Sequence, residues 1–243
     1  MKWSSVAAAL LACALWSAAD AAVIVTGTRV IYPSDSRDVV VRLNNTGDAP
    51  ALVQSWVDDG NQTAKPETLD VPFSVSPSIF RIEPGKTQLM RLVFLGADLP
   101  KDRESVYWLS VLEIPPKPAH AAEENYLQFA IKSRLKVFYR PASLKALPQD
   151  SVKALKWTRG ASGADAVEVR VENPGPFYVS FAEVRVRLAD GKELAPVNGM
   201  VAPFSTETFK FKPQTGTTAA PATVQFKNVD DYGAFNDGTA DLR

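Results

Sequence analysis

Residues 125–141, NYLQFAIKSRLKVFYRP, constrain the fold of this chain more than any other stretch. Leu127, Phe129 and Ile131 alternate with Gln128, Ala130 and Lys132, the period-two pattern of a β-strand with two unlike faces. The apolar residues continue through Leu135, Val137 and Phe138, with Lys136 set among them. Read whole, the segment predicts a strand of about seventeen residues, roughly three times the usual five or six. Packing one small sandwich requires neither that length nor a cation inside an apolar stripe. A strand that pairs in part with another protein requires both. On pattern alone, a stripe turned into the chain's own core is the simpler reading of Leu127, Phe129 and Ile131.

The N-terminus bears on where such pairing would take place. Lys2 precedes an apolar run over residues 6–19, and Ala19-Asp20-Ala21 fits the small-x-small site of a secretory signal. Cleavage is expected after Ala21, giving a signal peptide over 1–21 and a mature chain that starts at Ala22. The run is short of the roughly twenty residues of a spanning helix. Beyond Cys13 it stays apolar instead of opening the polar tether of a lipid anchor. The mature chain is therefore expected to carry no membrane span.

Some 220 residues remain, enough for two domains of about a hundred each, expected over 22–141 and 142–243. The single cysteine leaves with the signal, so stability must come from packing and not from disulfides. Basic and acidic residues balance at 27 each, and the segment lost carries one of each sign, Lys2 and Asp20. A phosphate-binding domain normally shows a basic excess, so nucleic acid is not expected as a partner.

Elsewhere the chain reads as strands and turns with almost no helical periodicity. Residues 23–31, 37–43, 51–57, 87–94 and 106–114 are apolar-rich and often alternating. Turn chemistry separates them at Asn44-Asn45-Thr46-Gly47-Asp48, Asp58-Asp59-Gly60-Asn61 and Glu83-Pro84-Gly85. A second set lies at 167–171, 177–188, 207–211 and 223–226, with a loop expected at 214–221. Arg140-Pro141-Ala142 is the expected hinge, because proline stiffens the chain and restricts the residue before it. The fold class is all-β: two immunoglobulin-like sandwiches set at an angle, with a cleft between them.

Catalytic chemistry finds little support. His120 is the only histidine and lies in a proline- and alanine-rich stretch. A mature chain without cysteine excludes a Cys–His nucleophile, and no Gly-x-Ser-x-Gly supports a serine triad. Asp58-Asp59 and Glu123-Glu124 are sequence neighbours, which point opposite ways in extended chain. Gly-rich phosphate cradles are absent. Neither an enzyme, a metal site nor a cofactor is expected.

Several motifs carry a family resemblance. They are Thr28-Arg29-Val30-Ile31-Tyr32, Arg81-Ile82-Glu83-Pro84-Gly85, Asp102-Arg103-Glu104-Ser105, Glu113-Ile114-Pro115-Pro116 and Lys136-Val137-Phe138-Tyr139-Arg140-Pro141. Glu172-Asn173-Pro174 with Phe177-Tyr178-Val179, and Asp230-Asp231-Tyr232-Gly233, extend the match into the second half. Together they resemble the PapD-like periplasmic chaperones of chaperone–usher pilus assembly. The variety is the one with a short loop before the long strand, since only residues 117–124 separate the proline pair from Asn125.

The resemblance implies donor-strand complementation. A pilin or fimbrial subunit is an incomplete sandwich, and the chaperone lends a strand to its open groove, a case of β-augmentation. Leu127, Phe129 and Ile131 would then fill the groove, reversing the reading that pattern alone favours. Each such side chain contributes roughly 1.5–3 kcal/mol when buried. Arg29 and Lys136 would bind the subunit's terminal carboxylate in the cleft, arginine with two parallel bonds and lysine with a compact charge. Glu104, Arg140 and Asp231 would form an ionic network holding the domains at a fixed angle. Strict alternation sets Lys136 on the face opposite Ile131, so a bulge, a twist or a change of role along the strand must intervene.

An outer-membrane usher is the implied recipient of the subunits, the periplasm the implied compartment, and a self-capping homodimer the implied resting form of so open an edge. The alternative class is a secreted adhesion or carbohydrate-binding sandwich. It would leave the long strand paired or blunted, and would place its ligand in end loops. Trp56 and Trp108, in strand patterns, are expected in the core.

Overall fold

Alternation of apolar and polar residues, repeated from Val23 to Asp241, builds two separate hydrophobic cores. A computed structural model describes residues 22–117, 127–163, 166–213 and 219–242. The expected signal segment, His120, Glu123, Glu124, Asn125, Tyr126 and most of the expected 214–221 loop lie outside the described residues. Among those described, no helix is long and apolar enough to cross a membrane.

The first sandwich contains β1 (Val23–Val25), β2 (Arg29–Pro33), β3 (Val39–Asn45), β4 (Ala51–Asp58), β5 (Phe73–Ser76), β6 (Ile79–Ile82), β7 (Thr87–Phe94), β8 (Ser105–Ile114) and β9 (Ile131–Arg140). One sheet has the order β1-β3-β7-β5 and the other β2-β9-β8-β4-β6. Their inner faces meet through Val41 and Leu43, Met90 and Leu92, Val53 and Val57, Leu109 and Val111, and Leu135 and Val137, all buried. The expected strand 23–31 is in fact two. The chain turns at Gly27, where φ is 92°, a left-handed conformation that glycine adopts without strain. It leaves the sheet of β3 there and re-enters the opposite sheet, where β2 pairs parallel with β9.

The second sandwich follows a short helix, α1 (Pro148–Lys153). It contains β10 (Lys156–Ser162), β11 (Val167–Asn173), β12 (Val179–Leu188), β13 (Val197–Val201), β14 (Ser205–Phe211), β15 (Pro221–Val229) and β16 (Phe235–Asp241). Its sheets are β10-β11-β14 and β13-β12-β15-β16. Trp157 sits at the centre, with ring centroids 5.4 Å from Phe226 and 5.6 Å from Phe181. Trp56 and Trp108, in contrast, are only half-buried. In register they share the sheet face with Gln54 and Lys136, opposite Val53 and Leu109, which corrects their expected place in the core.

The long strand is also corrected. It begins at Ile131, giving ten residues, and Leu127 and Phe129 precede it without a ladder partner. Extending the pairing of Ile131 with Glu113 would bring residues 128 and 129 opposite Pro116 and Pro115, and proline offers no N–H to a ladder. The Gln128 side chain instead donates to the Pro115 carbonyl at 2.6 Å.

Candidate functional site

Three things set the geometry of β9: a neighbour along its whole length, a neighbour along half of it, and unbroken alternation. On one side β8 pairs antiparallel from Tyr139 back to Ile131 with no shift of register. On the other, β2 pairs parallel with Lys136 to Arg140 alone. Residues 131–135 therefore keep one row of backbone donors and acceptors unpaired, an open sheet edge.

Because the register never slips, no bulge separates Ile131 from Lys136, and the two lie on opposite faces. The odd-numbered face makes one continuous stripe. Exposure along it falls from 79% at Leu127 through 69% at Phe129 and 38% at Ile131 to 5% at Leu135 and 0% at Val137. The stripe leaves the core of the first sandwich and ends in solvent.

The even-numbered face carries cations. Arg134 pairs with buried Asp58, which also accepts from Ser110 Oγ at 2.9 Å, and the guanidinium lies over the Trp108 ring at 5.6 Å. Arg140 forms the other closed arrangement. Its Nε donates to Glu104 Oε1 at 2.8 Å, while Nη1 and Nη2 donate to Asp231 at 2.7 and 2.9 Å. The second Glu104 oxygen accepts from the Tyr178 N–H at 2.9 Å, so the structure brings Glu104, Arg140 and Asp231 together across the two sandwiches. Burial pushes the Glu104 carboxyl up against the pull of Arg140. Burial likewise works against the Arg140 charge, yet its bonds to Asp231 and Glu104 raise it overall. Each Glu104 oxygen thus has a donor, Arg140 Nε on one and the Tyr178 N–H on the other.

Arg29 and Lys136 are arranged differently. They sit opposite each other in the β2–β9 register, and among the described residues neither has a carboxylate at ion-pair distance. Arg29 Nη1 donates to the Val229 carbonyl at 2.8 Å, its guanidinium lies 5.8 Å from the Phe138 ring centre, and its buried Nε has no partner. Lys136 Nζ reaches only Ser180 Oγ, at 3.1 Å. Burial, then the nearby Arg29 charge, lowers the Lys136 pKa to about 8. Burial lowers that of Arg29 too, although Asp231, Asp230 and Glu104 oppose it. Both cations line a cleft of about 480 Å³ between the sandwiches, walled by Trp108, Ser180, Gly199 and Met200. Two half-buried cations beside an open cleft, with no carboxylate at ion-pair distance among the described residues, offer the charge and the donors that an anion requires.

Ser180 and the Val229 carbonyl escaped the sequence reading, since each meets its partner across the domain boundary with no local motif to mark it. Trp108 was read as core, and only the strand register reveals it as a wall of the cleft.

Comparison with known proteins decides the family. Residues 22–145 match the model of the pili and flagellar-assembly chaperone PapD N-terminal domain, and residues 150–240 that of the pili assembly chaperone PapD C-terminal domain. The chain belongs to the PapD family of pilus-assembly chaperones. It is 43% identical to the probable fimbrial chaperone YadV of Escherichia coli K12, over 93% of this chain and 92% of that one. It is 41% identical to the chaperone protein FimB/FhaD of Bordetella pertussis, over 95% and 91%. The solved complex of the Salmonella enterica SafA pilin with the SafB chaperone aligns at a TM-score of 0.73 with 28% identity, covering 90% of this chain and 96% of that one. PapD-family membership sets aside the adhesion-module alternative.

Proposed function

We propose that this PapD-family chaperone works in the periplasm, where it completes an unfinished fimbrial subunit with the N-terminal part of β9 and passes it to an outer-membrane usher. Export would rest on the signal at 1–21, cut after Ala21, and the junction between the sandwiches on Pro141. The continuous stripe from Val137 to Leu127 carries the proposal. The odd-numbered residues are core for the chaperone toward Val137 and a row of solvent-exposed anchors at Ile131 and in the segment before the strand. Leu127, Phe129 and Ile131 enter the client's groove, and the open edge over 131–135 supplies main-chain hydrogen bonds that tolerate different client sequences. Of the three ways to reconcile Ile131 with Lys136, the unbroken register favours a change of role along the strand.

Arg29 and Lys136 take the client's C-terminal carboxylate and so fix the register of the pairing. The SafA–SafB complex supports the reading, being a pilin bound to a structurally similar chaperone. The work is non-covalent strand pairing. The free protein shields its edge by pairing with a second copy.

A peptide copying the C-terminal strand of a fimbrial subunit tests the reading by calorimetric titration. Binding that is lost on amidation of its carboxyl end supports the roles of Arg29 and Lys136, and indifference to amidation refutes them. Binding that persists in Phe129→Asp refutes the anchoring stripe.

A further inference from the structure

Glu113 is a buried carboxylate with no part in the site above. It is 7% exposed, at the end of β8, and on the strand face that also carries Leu109 and Val111. Its register neighbours are Val53 of β4 and Ile131 of β9, both apolar. Oε1 accepts from the Ala22 nitrogen at 3.2 Å and Oε2 from the Val23 nitrogen at 3.0 Å. No cation is paired with it among the described residues. The charged side chains of the adjoining turns, Asp48, Glu83 and Lys86, are exposed, and β3 presents Asn45 beside Val23. A buried carboxylate held by two neutral N–H groups is costly, because hydrogen bonds alone do not replace its hydration.

The terminus it holds is fixed by other bonds as well. Thr46 N donates to the Ala22 carbonyl at 2.7 Å, and Thr46 Oγ1 to the same oxygen at 3.2 Å. Gly47 fits only because it has no side chain, since a Cβ there would stand 2.7 Å from the Ala22 methyl carbon.

We infer that Glu113 is a built receptor for an α-ammonium group, the one that cleavage after Ala21 creates on Ala22. The inference rests on the proposed cleavage site. Hydrolysis of the Ala21–Ala22 bond, by water and a separate peptidase, leaves a carboxyl group on Ala21 and an amine on Ala22. That amine takes up a proton below its ordinary pKa of about 8. The oxygen that meets a neutral N–H in the precursor then meets a cation, and the lone buried charge becomes half of an ion pair. Maturation would thus fasten β1 across β8 at the position facing Ile131, where the client-directed part of β9 begins. A chain still bearing its signal peptide lacks this pair.

Intact-mass measurement of the exported protein first locates the terminus; a start at any residue other than Ala22 overturns this inference together with the cleavage site. With Ala22 first, an NMR titration of its α-carbon is expected to place the amine above about 9, at least one unit over the ordinary value. Adding a single glycine before Ala22 is expected to lower the melting temperature at pH 7 by about 2–4 °C. Glu113→Gln is expected to do the same, and glycine addition in the Glu113→Gln background to add little, the mark of two changes acting on one interaction. Should Glu113→Gln not fold, the amine pKa and the glycine-extended chain still decide. An ordinary amine pKa, or an extended chain as stable as the native one, overturns the inference and leaves the cleavage site standing.

Discussion

The two halves of β9 share a strand, a sheet and an alternation, yet their side chains meet opposite surroundings. From Lys136 to Tyr139 the strand is flanked on both sides, Leu135 and Val137 are buried, and Arg140 is tied to two carboxylates. From Ile131 to Leu135 it has one flank, and Ile131 stands in solvent together with Leu127 and Phe129 just before the strand. The chemistry of the residues does not make this difference, for leucine, phenylalanine and isoleucine occur in both halves or could. It follows from what lies alongside: β2 begins only at Arg29, and Pro115 and Pro116 end β8. The open half of β9 is made by withdrawing one neighbour from a strand that is otherwise core.

Substitutions that separate stability from client binding can break this contrast. The largest effect is expected at the closed end. Arg140→Ala leaves buried Glu104 without its cation, and breaking a buried pair costs about 3–5 kcal/mol. The Arg140 side chain is 21% exposed and that of Glu104 only 2%, so the full range applies, about 3–5 kcal/mol in chemical denaturation. A loss near zero would mean that the network does not hold the sandwiches together.

Next comes a crossed pair on the odd face. Leu135→Ala is expected to destabilise the protein by about 2–5 kcal/mol, as for other buried leucines. Leu127→Ala, about eight residues away on the same stripe, is expected to change stability by less than about 0.5 kcal/mol. In a subunit pull-down the ranking reverses, with client recovery reduced in Leu127→Ala. Equal stability losses in the two variants would place Leu127 in the chain's own core.

How far the sequence carried these conclusions also divides along β9. Central strands with two flanks were legible: Thr87 to Phe94 and the core of β8 fell where alternation put them. So did the two-sandwich fold and, through its motifs, the family. Short or polar edge strands were not. β6 (Ile79–Ile82) is four residues long, and β16 (Phe235–Asp241) reads FNDGTAD, whose Asn, Asp and Gly signal a turn. It becomes a strand because β15 offers it an edge. The start of β9 was misplaced for the converse reason, since residues 127–130 carry a strand pattern with no neighbour to pair with. Pairing is a property of two segments, and periodicity describes one. Likewise Arg29 and Lys136 were named from motif, but only the fold shows that, among the described residues, they lack counter-ions while Arg134 and Arg140 have theirs.

That distinction yields a third test. Lys136→Ala should weaken binding of a client peptide by about 2–5 kcal/mol, the usual cost of truncating a desolvated charged partner. The free protein should be no less stable, because the substitution removes a half-buried cation that has no counter-ion among the described residues. A variant that binds normally but melts early would reassign Lys136 to the architecture.

The smallest effect is the most specific. The Lys136 ammonium has its pKa lowered to about 8 in the folded protein, by burial and by Arg29, against 10.5 ordinarily. Between those values the unfolded chain binds more protons than the folded one, so stability from this group rises with pH across the window and is lowest below about 8. Client binding should run the other way. A carboxylate selects the protonated amine, so affinity falls as pH climbs past about 8 and the amine has to recover a proton on binding. Melting and calorimetric titration from pH 7 to 10 should therefore give slopes of opposite sign. Lys136→Met, similar in length and uncharged, should flatten both relative to the native protein. Slopes of the same sign, or slopes that Lys136→Met leaves intact, would mean that another group titrates and that the client's carboxylate docks elsewhere.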